Sequence, residues 1–308
     1  MDITAPGIAR KSLEFRRVFG RQAPLGFLLV LPLVLVMVVL LLYPVASALL
    51  LSFQDKMLGT PGQFIGLDNY RELLFEDPHF YQVVRNSFVF TFFSIAGKLV
   101  IGMGMAVLLN QHIKARNLFR GWLLLPWIAP TFVTALTWRW MFDGTSGIIN
   151  FLLTGAGILD APIAWLGQSS TALGAVIVTN IWRGFPFFGV SLLAGMQAIP
   201  AENYEAAEVD GASPWQKFWH ITVPGLRTVL IIVTMLSTIW TFNDFTVVYI
   251  MTGGGPSFAT QIFATYTYNL GFVGSRLGYA IAVSTTLTPI LIILILLLSP
   301  LILRGENE

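Results

Sequence analysis

The stretch Glu202–Pro224, ENYEAAEVDGASPWQKFWHITVP, is a polar island between two long apolar runs. It concentrates Glu202, Glu205, Glu208, Asp210, Lys217 and His220 within a few helical turns. Pro200 suits a helix start, and Gly211 suits a helix end because glycine tolerates the left-handed cap. Ser213-Pro214 then reads as an N-cap followed by a proline in the first helical position, opening a second short helix through Ile221. The expectation is a compact knob of two short helices around a glycine corner. A solvated loop with some helix is the plainer reading of the same composition.

Outward from this island the chain is apolar. Of its 308 residues 55% are hydrophobic and 11% charged, whereas soluble domains carry roughly 25% charged residues. The composition is that of an integral membrane protein. A net charge of +2 gives no reason to expect nucleic acid as a partner. With no cysteine, a disulfide framework and thiol chemistry are excluded. His79, His112 and His220 are not paired at ligand spacing, so no metal site is expected.

Leu25–Leu51 contains no charge and is long enough to cross a bilayer core of about 30 Å. Ala46-Ser47-Ala48 mimics a signal-peptidase site, but the apolar run exceeds the roughly 7–15 residues of a signal peptide and reads as a retained span. Spans are expected at about 25–51, 87–110, 118–142, 171–196, 228–251 and 278–303. These leave residues 1–24 and 304–308 as terminal segments of one transmembrane domain. Short basic loops stay in the cytoplasm. With the N-terminus inside, the inner segments hold Arg10, Lys11, Arg16, Arg17, Arg21, Lys114, Arg116, Arg120, Lys217, Arg227 and Arg304. The outer segments hold only Lys56, Arg71, Arg85 and Arg276. The expected fold is therefore all-α, with six spans, both termini cytoplasmic, and the Glu202–Pro224 knob inside between spans four and five.

Glu205-Ala206-Ala207, then Asp210-Gly211 and Ile221-Thr222-Val223-Pro224, resembles the EAA loop of membrane subunits in bacterial ABC importers, with Val223 where the family has leucine. Phe64-Ile65-Gly66-Leu67-Asp68-Asn69-Tyr70 is similar to a stretch after the first span in the sugar-importer branch. Met251-Thr252-Gly253-Gly254-Gly255-Pro256 is similar to one after its fifth. An amphipathic turn and a flexible Gly-Pro turn are the plainer readings of these two. Together, and in this order, the three stretches resemble the carbohydrate-uptake permeases that include the maltose, trehalose and glycerol-phosphate systems.

The resemblance implies a multi-pass permease of a bacterial or archaeal cytoplasmic membrane. Its partners would be a second, homologous permease, two ATPase subunits and an extracytoplasmic sugar-binding protein. The loop would contact the ATPase through Glu205, Ala206, Ala207, Asp210, Gly211, Ile221 and Pro224. No GxxxxGK[ST] loop is present to cradle phosphates, so ATP and magnesium belong to the partner ATPase and no cofactor is expected in this chain.

Ionisable groups at membrane depth are costly and tend to face a cavity or the bundle interior. Four occur at membrane depth: Lys98, Arg139, Arg183 and Asp244. Arg139, between Trp138 and Trp140, reads as an interfacial anchor. Lys98 is mid-span near Gly97, Gly102 and Gly104, and either a partner subunit or a lipid headgroup would account for it. Arg183 lies near Pro186, which favours a kink. Asp244 lies in Trp240-Thr241-Phe242-Asn243-Asp244 and is the only acid within a span. Rings for stacking and groups for hydrogen bonding are what a sugar requires; a structural Arg–Asp pair joining two helices is the alternative. The resemblance places a sugar against Arg183, Gly184 and Phe187, and against Ser237, Trp240, Thr241 and Asp244, with Asn243 alongside and Trp127 as an addition. Arg183 departs from the apolar residue of a maltose carrier and suggests a different, anionic sugar.

Three rivals remain: an ABC permease for a non-sugar solute, an ion-coupled secondary transporter and a membrane-embedded enzyme. A secondary transporter usually shows internal repeats and several intramembrane acids. An enzyme would need paired acids or a nucleophile beside a base. Neither pattern is found.

Overall fold

The computed structural model describes residues 23–111 and 114–305. The first 22 residues, with the five basic side chains that weighed most in the charge asymmetry, lie outside the described residues, as do His112 and residues 306–308. The described chain is almost entirely helical, with one two-residue hairpin, β1 (Gln54–Asp55) against β2 (Gln63–Phe64).

Helix α1, residues 23–52, runs through Ala23–Met37, a wider turn at Val38–Leu42, and Tyr43–Ser52. Residues 68–76 form α2. The principal helices follow: α3 (Phe80–Asn110), α4 (Arg116–Ile128), α5 (Thr131–Met141), the short α6 (Ile148–Gly155), and α7 (Ala172–Ala198). Two short helices, α8 (Ala201–Val209) and α9 (Pro214–Gly225), connect α7 to α10 (Arg227–Phe242). The chain closes with α11 (Phe245–Thr252), α12 (residues 263–273) and α13 (Leu277–Gly305).

Three of these helices are long and apolar enough to cross a membrane: Leu28–Ser52 within α1, α3 and α7. The number reaches five if each of two sharply bent pairs counts as one span. At about 1.5 Å per residue, the 29 residues of α13 also reach across a hydrocarbon core. Two expected spans are not single helices. The 118–142 span is α4 and α5, meeting at 90°. Its cause is local: a residue before proline is pushed out of the helical region, and Ala129, before Pro130, is extended with ψ 133°. The 228–251 span breaks at Asn243-Asp244, where Asp244 Oδ1 accepts from the Val247 amide and caps α11. By contrast, α7 continues through Pro186. The second span begins at Phe80 rather than 87, which puts Arg85 on a helix rather than in a loop.

The centre of the bundle is α3 packed along α7. Gly102 permits the approach: a Cβ there would stand 2.9 Å from the Gly189 amide nitrogen and 3.1 Å from the Phe185 carbonyl. Around this pair Leu192, Phe188, Met105 and Leu226 form one apolar cluster, and Phe90, Val176, Val247 and Ile262 form another. A third, with Leu73, Phe242, Phe263 and Val283, gathers α2, α10, α12 and α13.

The end of the bundle holding the β1–β2 hairpin is locked by polar contacts. Asn69 donates to the carbonyls of Ser52 and Gln54 at 2.8 and 2.9 Å, so the Gly66–Tyr70 stretch clamps the end of α1. Arg276 makes a two-pronged pair with Glu72, both contacts at 2.6 Å. Asp77 accepts from Tyr266 at 2.5 Å and Tyr279 at 2.6 Å. Burial opposes its charge, but those hydroxyls and the amides of His79 and Phe80 together hold its carboxyl below the ordinary range.

Candidate functional site

Midway along the bundle, α3, α4, α7, α10 and the α10–α11 break enclose a cavity of about 260 Å³. One wall is aromatic: Trp127 stacks on Phe187 with centroids 6.3 Å apart, and Phe187 meets Trp240 at 5.1 Å. Trp127 and Trp240 are 53% and 54% exposed, so much of each ring is open.

Beside it is a polar cluster. Asp244, almost buried, accepts from Asn180 Nδ2 at 2.7 Å and from Arg183 Nη2 at 3.4 Å, both on its Oδ2. Arg183 also donates to Thr131 Oγ1 at 2.7 Å. Lys98 is buried and donates to Thr241 Oγ1 at 2.8 Å. Arg183 Nε and Asn180 Oδ1 are buried without a hydrogen-bond partner among the described residues, and such atoms are costly unless something satisfies them. The cavity thus offers ring faces, donors and an acceptor, held in place by neighbouring helices.

Eight of the nine residues expected on a substrate path line this one cavity: Trp127, Arg183, Gly184, Phe187, Ser237, Trp240, Thr241 and Asp244. Asn243 does not; it is exposed and its side chain turns back to the Ile239 carbonyl at 2.9 Å. The alternative of an Arg183–Asp244 pair is also realised, as a long 3.4 Å contact. Lys98 turns into the bundle interior, where it donates to Thr241 on α10. Asn180 was not singled out from sequence, although it lies three residues before Arg183 and so on the same helix face. For Lys98 no local signal names Thr241, 143 residues away. Arg139, expected as an anchor, donates from the end of α5 to the Ile250 carbonyl at 3.0 Å, tying α5 to α11.

The α8–α9 knob is built as its residues dictate. No residue of α8 is buried. Gly211 follows it with φ +77°, the left-handed turn that favours glycine. Ser213 and Gln216 form a reciprocal capping box, with amide contacts of 2.8 and 3.3 Å. Helical winding from Pro214 persists past the expected Ile221 to Gly225, through a wider turn at Phe218–Thr222. Lys217 pairs with Glu208 at 2.6 Å, and that hydrogen bond holds the Glu208 carboxyl below its ordinary range. Glu205, Ala206, Asp210, Gly211 and Pro224 are exposed, and Ala207 and Ile221 partly so. Ile221 and Pro224 border a groove of about 500 Å³ between the knob and the end of α7.

Residues 98–304 match the family described as binding-protein-dependent transport system inner membrane component. The trehalose/maltose transport system permease protein MalF of Thermococcus litoralis is 37% identical, over 86% of this chain and 90% of that one. The sulfoquinovosyl glycerol transport system permease protein SmoG of Agrobacterium fabrum is 34% identical over 84% of each. Among solved structures, a bacterial ABC transporter involved in import of the acidic polysaccharide alginate matches with TM-score 0.79 and 21% identity. That match covers 94% of this chain and 99% of that one, and it supports the fold.

Proposed function

The chain belongs to the family of inner-membrane components of binding-protein-dependent transport systems, and from that premise we propose that it is a permease subunit of an ATP-driven importer whose solute is a sugar or sugar derivative. The observation that carries the reading is one of connectivity. The same two helices, α7 and α10, flank the exposed knob and supply most of the cavity wall. Arg183 lies 15 residues before the end of α7 and Trp240 13 residues after the start of α10, or about 20 Å along each helix at 1.5 Å per residue. A push on the knob is a push on the levers that hold the cavity.

In this reading the protein crosses the membrane six times with both ends in the cytoplasm. A second permease completes the pore, and an extracytoplasmic binding protein delivers the solute. Glu205, Ala206, Ala207, Asp210, Gly211, Ile221 and Pro224 form the contact with an ATPase chain, where ATP and magnesium are held. Closure of the ATPases moves α8 and α9, and α7 and α10 convert that movement into exposure of the cavity to one side and then the other. The sugar stacks on Trp240 and Trp127 while Arg183, Asn180 and Asp244 meet its hydroxyls. The subunit performs no covalent step. Relatives named for trehalose/maltose and for sulfoquinovosyl glycerol support the sugar class.

The test is uptake of radiolabelled trehalose or glucuronate by the assembled complex in proteoliposomes. Uptake that requires internal ATP and the binding protein is expected. Uptake driven by a proton gradient in vesicles lacking any ATPase contradicts the proposal and favours a secondary transporter.

A further inference from the structure

The cavity contains three charges that do not cancel. Lys98 and Arg183 are positive and Asp244 is the single negative group. Asp244 is already shared among three donors: Oδ2 takes Asn180 and Arg183, and Oδ1 takes the Val247 amide. Among the described residues Lys98 has no carboxylate within ion-pair distance, and its contact is with the hydroxyl of Thr241. An ammonium group at 5% exposure, hydrogen-bonded to a neutral hydroxyl and sharing the field of the single carboxylate Asp244 with Arg183, is only partly compensated.

The position of Lys98 is built rather than incidental. Gly184 on α7 provides its passage: a Cβ there would lie 2.5 Å from Lys98 Cε and 3.1 Å from Nζ. Thr241 on α10 fixes its end. Three helices therefore hold one ammonium group at the cavity wall, to which Arg183 and Asn180, with their partnerless Nε and Oδ1, also belong.

Resting on the reading of this cavity as a sugar site, we propose that it selects sugars carrying one acidic group, a carboxylate or sulfonate, and that Lys98 is a specificity-determining residue for that charge. The acid would lie between Lys98 and Arg183, balancing the excess positive charge, while Asn180 and Asp244 meet hydroxyls and Trp240 and Trp127 take the ring face. A monoanion restores neutrality in a water-poor site; a neutral sugar leaves one net positive charge among Lys98, Arg183 and Asp244. Arginine would keep the charge at position 98, and methionine would keep approximate length and remove it.

The experiment is equilibrium binding to the purified complex of this chain with its partner subunits, using glucose, glucuronate and 6-deoxy-6-sulfoglucose. These three differ only at the sixth carbon. The readout is the ratio of acidic to neutral affinity, which does not depend on the fraction of folded protein. The expected wild-type ratio is tenfold or more for at least one acid. It should collapse to within about threefold in Lys98→Met and be retained in Lys98→Arg. Equal affinity for the neutral and acidic sugars overturns the proposal, and so does a ratio unchanged in Lys98→Met; an acid supplied across the pore by the second permease would produce the first of these. Binding of none of the three sugars would overturn the carbohydrate reading itself, whereas binding of glucose alone leaves that reading standing and removes only the charge selection.

Discussion

The α8–α9 knob and the cavity between α7 and α10 are both polar, but in opposite ways. In the knob the polar contacts stay within eighteen residues and are mostly exposed, the exception being the buried Thr222 hydroxyl, which meets Tyr204 Oη at 2.9 Å. Ser213 pairs with Gln216 three residues on, Lys217 with Glu208 nine residues back, and α8 buries nothing. In the cavity the contacts are distant and dry, with Lys98 bonded to Thr241 across 143 residues and Asn180 to Asp244 across 64. A shape fixed by its own sequence and left exposed is suited to be gripped. A cluster fixed by packed helices is suited to bind something small. Changes in the knob should therefore act on coupling alone, whereas changes in the cavity should act on binding and stability together.

The largest effect is expected from Gly211→Pro. Proline locks φ near −65°, while the corner needs +77°. With no core residue in α8, the chain should still insert in the membrane, but ATP-driven uptake should fall on the order of a hundredfold, because a displaced contact of about 3 kcal/mol corresponds to that factor. Normal uptake would remove the distinction between the two regions.

Asp244→Ala comes next, and it should show the double effect. It removes the α11 cap, worth about 1 kcal/mol, and leaves Asn180 and the partly exposed Arg183 short of an acceptor. A loss of about 1–3 kcal/mol of stability should appear as a lower melting temperature in detergent, together with at least tenfold weaker uptake. Loss of uptake with unchanged stability would place Asp244 on the knob's side of the comparison.

Trp240→Ala sharpens the contrast from the other direction. With the ring 54% exposed, little stability should be lost, and sugar affinity should fall about five- to tenfold, the worth of roughly 1–1.5 kcal/mol of ring stacking. Unchanged affinity would take the aromatic wall out of the binding site.

The smallest effect concerns Asp77. Its carboxyl is held below the ordinary value of 3.8, so its contribution is fully present at neutral pH and is lost only as pH falls through that lowered value. Protection of the amides of residues 72–80, corrected for the pH dependence of intrinsic exchange, should be flat from pH 8 to about pH 5 and fall only below about pH 4. A loss of protection near pH 6 would show that a different group holds this end together.

The knob was legible in the sequence because caps and corners are short-range: Ser213-Pro214, Gly211 and Pro200 each specify a dihedral or a hydrogen bond within a turn. The cavity was only partly legible. Aromatic and charged residues at membrane depth announced themselves by their cost, which is why Arg183, Trp240 and Asp244 were found. The contact of Lys98 with Thr241 was not legible, because nothing around Lys98 specifies a hydrogen bond to another helix. Both broken spans carried a local signal, Pro130 after Ala129 and the capping Asp244 in an apolar run. Hydrophobicity reads through such a break: α4 and α5 together are still apolar enough to count as one span despite the 90° bend.

The central claim is that an exposed knob on the inner side passes motion to the cavity helices, and the chain's lack of cysteine allows it to be tested at a single atom. Glu205→Cys, probed in the assembled complex with a membrane-impermeant maleimide and a short thiol cross-linker, should label only in inverted vesicles and cross-link to the ATPase subunit. Labelling from the outer face, or an exposed thiol that never cross-links to a nucleotide-hydrolysing chain, would contradict the account.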